Sequence, residues 1–115
     1  MKEQSGFEFK KIVLITGASK GLGAELAKFY AADGNDLLLV ARSSDLLQIL
    51  SNNLMEKYGV KVYYLVLDLS IQGSANNLFN YCKNNNFHVN QLINNAGFAY
   101  WGQFVQMDEN KLSAM

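Results

Sequence analysis

The eight residues from Thr16 to Gly23 read TGASKGLG, follow the apolar run Ile12-Val13-Leu14-Ile15, and open into an alanine-rich segment from Ala24 to Ala32. Strand, glycine turn and helix in immediate succession leave few folds open, because the chain must reverse within a few residues and pack the new helix against the strand. Gly17 can turn sharply out of the strand, Gly21 lets backbone approach a phosphate, and Gly23 lets the helix pack closely on the sheet. The free N–H groups and positive end of that helix would then face an anion. The spacing is G-x-x-x-G-x-G, unlike the commoner G-x-G-x-x-G. Glycines alone would equally suit a turn that merely joins a strand to a helix.

The rest of the chain repeats the alternation. Lys11 to Thr16 reads as a strand buried on both faces. A helix is expected from Gly21 to Asp33, with Leu22, Leu26 and Phe29 on one face and Gly34 ending it. Asp36 to Ala41 is a second strand. Ser43 or Ser44 caps the next helix, which places Leu47, Leu50, Leu54 and Tyr58 at helical spacing before Gly59. Val60 to Leu67 is a third strand. Ser70 caps a third helix through about Asn84, burying Ala75, Leu78 and Cys82. Val89 to Asn94 is a fourth strand, and Asp108 begins another helix. Strands alternating with helices, and no hairpin signals, predict a parallel sheet with right-handed crossovers. The first strand is central, giving the order 3-2-1-4 of a doubly wound α/β fold. Residues 1–9 read as a flexible leader, and 10–115 as an incomplete dinucleotide-binding domain.

Composition excludes several classes. The chain has 115 residues, 10 basic and 10 acidic side chains, and 50% apolar residues. A net charge of zero with no basic cluster gives no nucleic-acid footprint. The single cysteine, Cys82, cannot form an internal disulfide, which suits a reducing compartment. No apolar run approaches a membrane span and the first ten residues lack a signal-peptide core, so a cytoplasmic location away from membranes is expected. His88 has no cysteine or histidine at ligand spacing and reads as a loop residue, so no metal site is expected.

Three stretches together carry a family resemblance: TGASKGLG, Asp68-Leu69-Ser70 after the third strand, and Asn94-Asn95-Ala96-Gly97 after the fourth. From Lys11 onwards the chain resembles the short-chain dehydrogenase/reductase family, in its short single-domain branch with a Rossmann-like sheet. The resemblance implies cofactor contacts at Gly17, Ser19, Lys20, Gly21, Leu22 and Gly23 in the turn. It places Asp68 against the adenine amine and the Leu69 N–H against the ring. Asn95, Ala96 and Gly97 would approach the nicotinamide-side ribose, while Asn94 is read as a tie between strands. Asp68 could also serve only as a helix cap.

The second strand ends in Ala41-Arg42 where an NAD site would carry an acid for the ribose 2′-hydroxyl. In the family, basic residues here and within the turn, as at Lys20, often accompany NADP preference. Charge-assisted hydrogen bonds of about 1.5–3 kcal/mol each make two contacts worth roughly a hundredfold in preference for NADP(H). Members transfer a hydride between nicotinamide and a carbonyl or secondary alcohol, using a Tyr-x-x-x-Lys pair. None of the 6 tyrosines here has a lysine four places on. The expectation is therefore an NADP(H)-dependent oxidoreductase represented by its cofactor-binding half, truncated after four strands, with no catalytic residue and no turnover. The alternative is a natural non-catalytic nucleotide-binding or interaction module. The apolar, lysine-free edge at Leu92 and Ile93 predicts a homo-oligomer. Phe98, Tyr100, Trp101 and Phe104 read as packing residues, with Tyr100 and Trp101 near the mouth of a substrate cleft.

Overall fold

The apolar run before the glycine turn becomes β1, Lys10–Thr16, whose last five residues are buried. The computed structural model describes residues 9–95. The readings made for the leader, for Ala96 and Gly97, for the aromatic loop and for the helix at Asp108 lie outside the described residues. Six elements follow β1: α1 (Gly21–Ala32), β2 (Leu37–Ala41), α2 (Ser44–Tyr58), β3 (Val62–Val66), α3 (Ser74–Asn84) and β4 (Phe87–Asn94). The sheet order is β3-β2-β1-β4, and each strand pairs in parallel with its neighbours. This is the predicted doubly wound arrangement, with the reversal of strand order at the β1–β4 junction.

Because side chains alternate along a strand, the two central strands feed two cores. Ile12 and Leu14 of β1 join Leu38 and Val40 of β2 beneath α3, together with Ala75, Leu78, Cys82, Phe87 and Val89. Val13 and Ile15 join Leu37, Leu39 and Ala41 on the opposite face, against Ala27 and Ala31 of α1 and Leu47, Leu50 and Leu54 of α2. Each fully buried aliphatic side chain contributes about 1.5–3 kcal/mol. The α2 signals act as read: the Ser43 hydroxyl accepts from the Leu46 N–H at 3.3 Å, and Gly59 ends the helix in left-handed conformation.

Three expectations are corrected. The buried stripe of α1 is Gly23, Ala27 and Ala31, at i, i+4 and i+8, and not the face carrying Leu22, Leu26 and Phe29. Leu22 and Phe29 are 66% and 65% exposed, and Leu26 is half-buried. That large-residue face lies roughly a third of a turn around the helix from the small-residue stripe. Close seating of α1 against the turn leaves room only for small side chains on its inner side. His88 is a strand residue, opposite Lys11 of β1. Asn86, at φ 57, turns the chain within two residues of α3, so β4 begins at Phe87 rather than Val89. Ser70 does not cap α3, which starts four residues later behind Gly73.

The β4 edge is not uniform. Its pairing steps from Ile12–Val89 to Val13–Gln91, leaving Asn90 as a bulge. A bulge twists an edge and works against open-ended pairing with another chain. No helix of the described residues is long and apolar enough to cross a membrane.

The packing makes a stability prediction. Leu78→Ala should cost about 2–5 kcal/mol in urea unfolding. Phe29→Ala should cost less than about 1 kcal/mol. Comparable losses at the two positions would mean that the large-residue face of α1 is buried after all.

Candidate functional site

The carboxyl ends of β1, β2 and β3 open onto one cleft of about 400 Å³. Its floor is the glycine turn. Gly17 and Gly21 both have φ near +61, a region costing other L-residues about 1–2 kcal/mol. A Cβ on Gly21 would meet nothing within 4 Å, so its glycine serves conformation and leaves open space above the turn. Gly23 differs. A Cβ there would overlap the Gly17 carbonyl oxygen and lie 2.9 Å from the Ala18 Cα, all of it backbone that cannot swing aside.

The turn is strapped from two directions. The Ala18 N–H donates to the Val40 carbonyl at 3.2 Å, and the Asn95 side-chain amide donates to the Gly17 carbonyl at 3.1 Å. Beside it, the Thr16 hydroxyl donates to the Asn94 side-chain oxygen at 3.1 Å, the tie between strands read for Asn94. α1 then starts behind Lys20 with no side-chain cap and no acid in its first turn. Its first N–H groups remain available to an external acceptor, and its dipole favours an anion there.

Of the residues read from the sequence, Gly17, Ser19, Lys20, Arg42, Asp68 and Leu69 line the cleft together. Gly21, Leu22 and Gly23 form the first turn of α1 and do not line it; Asn95 acts at its rear through Gly17. Ser43, Leu46 and Ser70 line the cleft without having been assigned to it. Leu46 had a signal: it is an apolar residue off the Leu47–Leu50–Leu54 stripe, and 41% of it is exposed. Lys20 and Arg42 are exposed, and neither forms an ion pair among the described residues.

Asp68 is held within its own loop. One oxygen, Oδ1, accepts from the Ser70 N–H at 3.0 Å and from the Ser70 hydroxyl at 2.6 Å. These bonds, the hydroxyl first and then the N–H, hold its carboxyl below the ordinary aspartate range against an opposing effect of desolvation, and the positive charge of Arg42 adds the least. Among the described residues no group of three or more histidine, cysteine or acidic side chains could hold a metal ion.

A family model described as short chain dehydrogenase matches residues 11–115. The chain belongs to the short chain dehydrogenase family. An uncharacterized oxidoreductase of Mycobacterium tuberculosis is 35% identical over 103 residues, which is 89% of this chain and 40% of that protein. Among solved structures, a short-chain dehydrogenase from Sphingobium yanoikuyae in complex with NADPH is 38% identical, with a TM-score of 0.68. The match covers 79% of this chain and 35% of that one. L-sorbose reductase from Gluconobacter frateurii, complexed with NADPH and L-sorbose, gives a TM-score of 0.70 at 31% identity, over 78% of this chain and 34% of that one. The chain spans two fifths or less of the length of these family members.

Two outcomes follow from the cleft's construction. Gly23→Ala should destabilise the fold by about 1–3 kcal/mol in denaturant unfolding, because the added methyl meets backbone. A variant as stable as the parent would contradict the seating of α1. In a carboxyl-carbon NMR titration Asp68 should reach its midpoint below the ordinary aspartate value. Its folded-state pKa is depressed, so the stabilisation it gives is present at neutral pH and is lost as pH falls through that midpoint. An ordinary or raised midpoint would contradict the Ser70 contacts.

Proposed function

We propose that these residues form the NADP(H)-binding part of an oxidoreductase that moves a hydride between nicotinamide and a carbonyl or secondary alcohol. The observation that carries this reading is the meeting of Lys20, Arg42 and Asp68 around one cleft at the carboxyl ends of three adjacent strands. The NADPH complexes of the two solved relatives support it.

The residues fit the cofactor group by group. The open space above Gly21 and the uncapped start of α1 suit a pyrophosphate. Lys20 and Arg42, both exposed and without an ion pair among the described residues, are the cations for a 2′-phosphate, and the guanidinium fork suits two phosphate oxygens at once. Asp68 takes the adenine amine, and the Leu69 N–H donates to the ring. When bound, the cofactor supplies or accepts the hydride. The residues here bind and orient it; none provides the Tyr-x-x-x-Lys proton exchange, so the 115 residues alone should give no turnover of a carbonyl compound.

Cofactor preference tests the main reading. Arg42→Asp should weaken NADP(H) by at least about tenfold, since one charge-assisted contact is lost and a repulsive charge is gained. NAD(H) should change little. Equal losses for both cofactors in a fluorescence titration would remove Arg42 from the 2′-phosphate site.

A further inference from the structure

Ser70 has a hydroxyl left over from the role its sequence position suggested. α3 begins at Ser74 behind Gly73, and no bond from Ser70 reaches its first turn. Between them run two successive backbone turns, Ile71 N–H to the Asp68 carbonyl at 3.2 Å and Ser74 N–H to the Ile71 carbonyl at 3.1 Å. Within the first of these, both Ser70 donors converge on a single Asp68 oxygen, Oδ1. An aspartate that accepts from the backbone two residues on has a fixed side-chain rotamer.

The fixing has two effects. It leaves Oδ2 with no hydrogen bond among the described residues, so one acceptor oxygen stays open to a donor while its twin is anchored. It also separates Asp68 from Arg42: both line the cleft, yet no ion pair joins them. An untethered carboxylate beside a guanidinium would be drawn to it, which would withdraw the acceptor from adenine and the cation from phosphate.

We propose that Ser70 is a positioning residue that holds the Asp68 carboxylate in the orientation that accepts from an adenine amine. The inference rests on reading the cleft as a dinucleotide site. The depressed titration of Asp68, caused first by the Ser70 hydroxyl and then by its N–H, agrees with a charged acceptor kept ready.

The test uses the full chain and two fluorescent probes: NADPH, and its hypoxanthine analogue, in which an exocyclic carbonyl oxygen replaces the adenine amine. The parent should prefer NADPH by about tenfold, one charge-assisted hydrogen bond. Ser70→Ala should reduce that preference to about threefold or less, and Ser70→Thr should restore it. In an Asp68→Ala background Ser70→Ala should have no further effect, because it acts only through that carboxylate. An unchanged preference in Ser70→Ala, an equal loss for both probes, or an effect that persists without Asp68 would each overturn the assignment while leaving the dinucleotide site intact. A parent chain that binds neither probe would overturn the site reading and this inference together.

Discussion

The position of the Gly17 carbonyl governs the whole carboxyl-terminal face of the sheet. Gly23 presses on it from α1, Asn95 grips it from the end of β4, and Ala18 next to it is bonded back to β2. Three elements thus meet on one peptide unit. Anything that moved this carbonyl would tilt α1, and α1 can seat so closely only because its inner stripe is glycine and alanine. The local turn chemistry and the global packing are the same constraint seen at two scales.

That constraint also shapes the electrostatics. A helix pressed so tightly onto the turn begins without a side-chain cap, which leaves donors and a positive dipole end facing the cleft. Around them the chain places two exposed cations and one anchored carboxylate. Charges of both signs stay apart because the acid is held by its own loop rather than by its neighbours. The chain as a whole is neutral, so the cleft's character comes from placement and not from composition.

What could be read from the sequence was local. The four strands, their order and the α2 caps follow from apolar runs and turn residues within a few positions of one another, while Lys20, Arg42 and Asp68, which line the cleft, were singled out by the family resemblance. The face of α1 was misjudged because side-chain size, not polarity, decides how near a helix can come to a sheet. Leu22 and Phe29 obey helical periodicity yet stand outside, since only Gly23, Ala27 and Ala31 tolerate the required distance. Ser70 looked like a cap because serine before an apolar run usually is one; a neighbouring carboxylate outcompeted the helix for its hydroxyl. The early start of β4 hung on a single left-handed asparagine, which composition does not announce.

The two faces of the sheet are unequally covered. Among the described residues α1 and α2 lie on one side, and α3 alone on the other, entered through Gly73 without a side-chain cap. The loop that carries Asp68 and Ser70 leads directly into that lone helix. Opening fluctuations of α3, the sub-global kind that amide exchange detects, would therefore reach the Asp68 side of the cleft before they disturbed the Gly17 junction. One end of the cleft is held by contacts from three elements, and the other leads into a single helix. A ligand gripping both ends would slow exchange in α3 without touching it.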